Sequence, residues 1–173
     1  MDWTSGIFAL AGVIVGGGVN FITQSAVDRR KRKADRESVA AALSAEIEAY
    51  LDIVERRRNI ESARAVLLRL QNGESIPLRG FGVERDEKSA AIFPAYLALL
   101  PQLGLLGGTV SKVTKFYSLA MAVRSTARTA ERGGYEHLDC RSKAKLLEDE
   151  LAIWDELSCL GRALAKQLRP VTA

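Results

Sequence analysis

A chain of 173 residues has room for one domain with an appendage. Aromatic residues make up 6% and prolines number four, against plentiful alanine and leucine, a balance that favours helices over strands. The net charge of +4 is concentrated: residues 29–36 carry six basic side chains against Asp35, and the remainder sums to −1. The pI of about 9.2 therefore reflects one short stretch and does not indicate a nucleic-acid-binding domain.

The first element is "WTSGIFALAGVIVGGGVNFITQSAV", the 25 residues between Asp2 and Asp28, which contain no charge. As a helix it would extend about 37 Å, more than the roughly 30 Å of a bilayer's hydrocarbon core. Its nine strongly apolar members, from Ile7 to Ile22, contribute roughly −3 to −5 kcal/mol to insertion. Five glycines, Asn20 and Gln24 return part of that. A secretory signal would need a basic n-region, and "MDWTS" has none. The positive cluster follows the apolar run instead, as a stop-transfer signal does. The expectation is a transmembrane anchor with Trp3 at its outer interface. Arg29, Arg30, Lys31, Arg32 and Lys33 then hold the body on the cytoplasmic side. Anionic head groups are the nearest partners for these five, worth about 1 kcal/mol per basic residue at a charged surface.

Gly12 and Gly16 form GxxxG, the spacing that lets two helices approach closely in lipid. Asn20 lies within the same segment and can hydrogen-bond across such a contact. Together these three predict self-association through the anchor.

After the basic run, Val39, Leu43, Ile47, Tyr50 and Val54 fall at helical spacing on one face. Arg56, Arg57 and Arg58 interrupt the stripe, which resumes at Ile60, Ala63, Leu67 and Leu70, with Asn72–Gly73 as a C-terminal cap. No glycine or proline intervenes from Val19 to Asn72, so one helix is expected to continue unbroken from the anchor. Pro77, Gly80 and Gly82 mark a loop. "DEKSAAIFPAYLALLPQLGLLGG" reads as two short helical pieces divided at Pro94 or Pro101. A helix with Val113, Phe116, Ala120, Val123 and Ala127 on one face then runs to Gly133. The last helix carries Leu146, Ile153, Leu157, Leu160, Leu164 and Leu168, and Pro170 ends it. Four amphipathic helices of this length can bury a core, most simply as an antiparallel bundle.

Catalytic patterns are absent. His137 is the sole histidine, and "HLDC" to Cys140 supplies half of a zinc spacing with no second pair. Asp139 and Ser142 flank it without a nucleophile elbow. Glu148, Asp149, Asp155 and Glu156 read as a solvated helix face, since a helical di-iron site needs Glu-x-x-His motifs. The glycine-rich stretches lack phosphate-loop order. Cys140 and Cys159 are too few for a disulfide framework and are expected as buried or partly buried free thiols. Phe116 and Tyr117 suit core packing better than a partner groove.

The segment "IFPAYLALLPQLGLLGGTVSKVTKFYSLAMAVR", following a glycine-rich span, a basic run and a long helix, resembles part of a type of short bacterial protein. These proteins have one N-terminal membrane span and a cytoplasmic helical domain. The resemblance implies an architecture and no activity.

The sequence thus predicts an all-α protein of a bacterial inner membrane. Residues 1–27 are its transmembrane anchor, 28–36 its basic juxtamembrane segment and 37–173 a cytoplasmic antiparallel helical bundle, with the N-terminus outside. The expected role is that of a membrane-anchored interaction or scaffolding protein that forms homo-oligomers and engages a protein partner. No enzymatic activity, cofactor, metal or nucleic acid is expected. The alternative is a membrane-active effector or holin-like pore former acting through the glycine-rich span.

Overall fold

The computed structural model describes residues 3–79 and 93–169, with side chains for Gln24 and from Val27 onward within those ranges. Every regular element among them is helical. In chain order they are α1 (Trp3–Arg56), α2 (Asn59–Gln71), α3 (Pro94–Leu99), a 3-10 segment (Leu100–Thr109), α4 (Val110–Glu131) and α5 (Cys140–Leu168). The chain divides into two compact units, Met1–Ser38 and Val39–Ala173. No helix among the described residues is long and apolar enough to cross a membrane. The expected anchor falls almost wholly on residues 1–23, whose side chains lie outside the description.

The expected single helix over 37–72 is two. Arg58 adopts the left-handed region at φ 51°, ψ 36°, and α2 starts at Asn59. The apolar pattern supplies the reason. Val54 and Ile60 are six residues apart, which in a continuous helix leaves them roughly 120° out of phase. The turn at Arg57–Arg58 re-phases the stripe, so that Ala63 and Leu70 become buried as Val39, Leu43, Ile47, Leu51 and Val54 are. At the far end the expected cap is present. Gly73 has φ 85° and donates to the Leu70 carbonyl, and Glu74 N donates to Arg69 O, closing a Schellman turn. Pro94 opens α3, and Pro101 marks the change to 3-10 geometry, which Gly107 interrupts at φ 57°.

Helix α5 runs antiparallel to three partners. Against α2, Arg64 pairs with Asp155 at 3.2 Å and Gln71 with Glu148 at 3.0 Å. Against α1, Arg169 reaches Glu48 and Arg162 reaches Glu55, each at 3.0 Å, and the Ser44 hydroxyl donates to the Ala165 carbonyl at 3.0 Å. Against α4, Lys115 pairs with Glu156 near one end, while Ala130 and Leu147 share a core cluster near the other. The second unit is therefore an antiparallel bundle of α1–α2, α4 and α5, with α3 and the 3-10 segment packed at the α1/α4 end.

Close approach is allowed at Gly161 on α5. A methyl group built there would lie 2.7 Å from Phe116 Cε2 and 3.0 Å from Leu51 Cδ1, and Phe116 is fully buried. Around this point Tyr50, Phe93, Tyr96, Phe116 and Tyr117 form an aromatic cluster. Tyr96 and Tyr117 are stacked with centroids 3.9 Å apart, and Phe93 meets Tyr117 edge-on at 4.9 Å. Phe116 and Tyr117 thus belong to the core.

One carboxylate closes this cluster. Glu46 on α1 accepts from Ala95 N at 2.7 Å, Tyr96 N at 3.0 Å and the Tyr117 hydroxyl at 2.8 Å. The first two are orphan donors at the start of α3, whose own N-cap, Phe93, has no side chain to satisfy them.

Three substitutions check this packing by urea unfolding. Glu46→Ala leaves three donors unmet and should cost roughly 3 kcal/mol, against about 1 for Tyr117→Phe. Gly161→Ala should destabilise by about 1–3 kcal/mol through overpacking, although alanine is the better helix former.

Candidate functional site

The sequence-predicted site residues separate into groups that the fold does not bring together. Gly12, Gly16 and Asn20 lie outside the described side chains. Arg29, Arg30, Lys31, Arg32 and Lys33 are exposed on α1, with Lys33 pairing to Glu37 at 3.8 Å. His137 is exposed in the turn before α5, while Asp139 caps that helix by accepting from Ser142 N at 2.7 Å. That bond holds the Asp139 carboxyl below its ordinary pKa. Cys140 is half-buried, its thiol 3.6 Å from the Glu74 carbonyl. Cys159 is exposed, which corrects the expectation that both thiols are at least partly buried. No group of three or more potential ligands gathers to hold a metal ion among the described residues.

Glu148, Asp149, Asp155 and Glu156 form the exposed face expected of them, paired with Gln71, Lys145, Arg64 and Lys115. A broad groove of about 730 Å³ runs along α1 and α5, floored by Ala45, Ala49 and Ala165. Its acidic and basic rims are joined across it by Glu48–Arg169 and Glu55–Arg162, so it presents little net charge.

The distinctive site lies between α2, α4 and α5. A cavity of about 50 Å³ is lined by apolar side chains that include Ala63, Val123, Leu147 and Leu151, with Trp154 and Tyr135 as aromatic walls. Into this wall α5 also brings Glu150. Its Oε1 is buried with no hydrogen-bond partner among the described residues. Loss of hydration pushes the Glu150 carboxyl up to about 6, and a hydrogen bond with Thr126 opposes the shift. The charge is felt on α1, where burial first and Glu150 second raise the Tyr50 phenol to about 12, with Arg124 pulling it down.

Glu150 was hidden in the acidic run "LEDELAIWDEL", although its position distinguishes it. It stands three residues after Leu147 and four before Trp154, on the apolar stripe of α5, whereas Glu148 and Asp149 stand off it. Lys143, four residues before Leu147, is the other such case. It is buried, with its ammonium 3.4 Å from the Ile76 carbonyl and 3.7 Å from Glu136.

The chain matches no family model, no curated protein and no solved structure.

A raised folded-state pKa means that the native state holds the Glu150 proton more tightly than the unfolded chain does. This group's penalty is present above pH 6 and vanishes as pH falls below the ordinary carboxyl value. Glu150→Gln should therefore raise Tm by roughly 2–5 °C at pH 7.5, and the gain should disappear near pH 4.5 in paired thermal melts.

Proposed function

We propose that this chain is a membrane-tethered helical interaction module. Residues 1–27 anchor it in a bacterial inner membrane with the N-terminus outside. The basic run fixes that orientation, and the bundle is displayed on the cytoplasmic side as a scaffold for a protein partner. The observation that carries the proposal is the order of charge along the chain: 25 uncharged residues, then Asp28 and "RRKRK", then the amphipathic helices. Such a stretch is long enough to span a bilayer, and basic residues on one flank set its orientation. Gly12, Gly16 and Asn20 give the anchor a self-association face, and confinement in a bilayer would raise the effective concentration of the displayed domains.

Expressed alone, residues 37–173 should be soluble without detergent, strongly helical by circular dichroism and cooperative in unfolding. The full chain should stay with membranes through alkaline carbonate extraction. A fragment unfolded in every detergent-free buffer, or a full chain released by carbonate, would overturn the proposal. Loss of membrane potential on expression, abolished by Gly16→Leu, would point instead to a pore-forming effector.

A further inference from the structure

The cavity beneath α2 is an unusual place for a carboxylate. Its walls are mostly apolar, and one oxygen of Glu150 is buried without a donor among the described residues. Leaving such a group unmet is unfavourable, and unmet buried groups in a folded protein call for an occupant or a role. We propose that this cavity is a binding site for a primary alkylammonium group, with Glu150 as its counter-ion.

Four observations define the ligand class. The first is charge: a carboxylate beside a void of low polarity favours a cation with N–H donors over a neutral guest. The second is donor geometry. Thr126 already hydrogen-bonds the Glu150 carboxyl, and Oε1 has no donor among the described residues. A compact ammonium can use a single oxygen, whereas the planar guanidinium fork is matched to two. Glutamate's terminal torsion is broad, so a small rotation can turn Oε1 toward the guest. The third is the rest of the lining. Asn59 and Tyr135 in the lining carry further acceptor groups, and Trp154 and Tyr135 contribute aromatic rings, a composition that suits a cation.

The fourth is size. A volume of about 50 Å³, at roughly 30 Å³ for each water-sized occupant, holds about two non-hydrogen atoms. That fits the ammonium and first methylene of an alkylamine, with the rest of its chain leaving through the cavity's open side. The titratable groups that face Glu150 are Tyr50 on α1, whose phenol its charge raises, and Tyr135 in the turn before α5, which shares the cavity wall.

Trp154 in the cavity wall is the reporter. The chain has two tryptophans, so Trp3→Phe leaves Trp154 alone. The full-length Trp3→Phe chain in detergent is titrated at pH 7.5 with n-butylamine, n-butanol and n-butyrate at matched ionic strength. Saturable change in Trp154 emission is expected with n-butylamine. n-Butanol should bind at least about tenfold more weakly, as the loss of a charge-assisted hydrogen bond implies, and n-butyrate should not bind. Glu150→Gln should weaken n-butylamine by a similar factor with the helical circular dichroism unchanged.

Equal binding of amine and alcohol would overturn the assignment and leave an apolar cavity. So would an unaltered amine affinity in Glu150→Gln. The absence of any saturable response to n-butylamine would show that the cavity holds water only. The amine–alcohol comparison uses the native cavity and stands even if Glu150→Gln fails to fold.

Discussion

The bundle depends on the side chain of Glu46. The segment between α2 and α4 has to return along the molecule, and its described end, α3, is too short to hold itself in place. Six residues form the helix, opening on Pro94 with no side-chain cap of their own. The Glu46 carboxylate provides that cap from α1 and takes the Tyr117 hydroxyl from α4 in the same grip. Three elements are thus fixed by one group, inside an aromatic cluster where unmet donors would be unfavourable. Burial and the bond to Glu46 push the Tyr117 phenol far above its ordinary pKa, which favours its role as a donor.

Helix α5 then sets the spacing of everything else. It lies against α1, α2 and α4, and its inner face alternates large and small residues: Leu157 and Leu164 fill the core, while Gly161 and Ala165 admit Phe116, Leu51 and the Ser44 hydroxyl. Toward its N-terminal half the partner changes from α1 to α2 across the turn at Arg58. The cavity with Glu150 lies in this α2 half. The two halves differ in one instructive way: Glu46 has three donors, while an oxygen of Glu150 has none among the described residues.

Much of this architecture was legible in the residue pattern. The stripes from Val39 to Val54, Val113 to Val123 and Leu157 to Leu168 face the core as their spacing requires, with Tyr50 and Leu160 only partly buried, and Gly73 caps α2. The break at Arg58 was not legible as a break, since neither glycine nor proline marks it. The signal was the phase jump from Val54 to Ile60, which tertiary burial resolves at the expense of a left-handed arginine. The two chemically important carboxylates were missed for a shared reason. Glu46 stands three residues after Leu43 and four before Tyr50, as Glu150 stands between Leu147 and Trp154. Charge made both look solvated, but helical phase puts each on the buried side. What donor meets them is decided by distant parts of the chain, Ala95 and Tyr117 for one and a cavity for the other, and no local pattern contains that.

The functional proposal joins this domain to a charge-free N-terminal stretch through the sign and place of "RRKRK". Its central claim is topological, and Cys159 can report on it, being exposed on α5. With Cys140→Ser, Cys159 is the sole thiol of the chain. In bacterial cells expressing that variant, a membrane-impermeant maleimide should label Cys159 only after the inner membrane is permeabilised, with the protein in the membrane fraction. Labelling at the same rate in intact cells, or recovery of unlabelled protein in the soluble fraction, would contradict an anchored domain facing the cytoplasm.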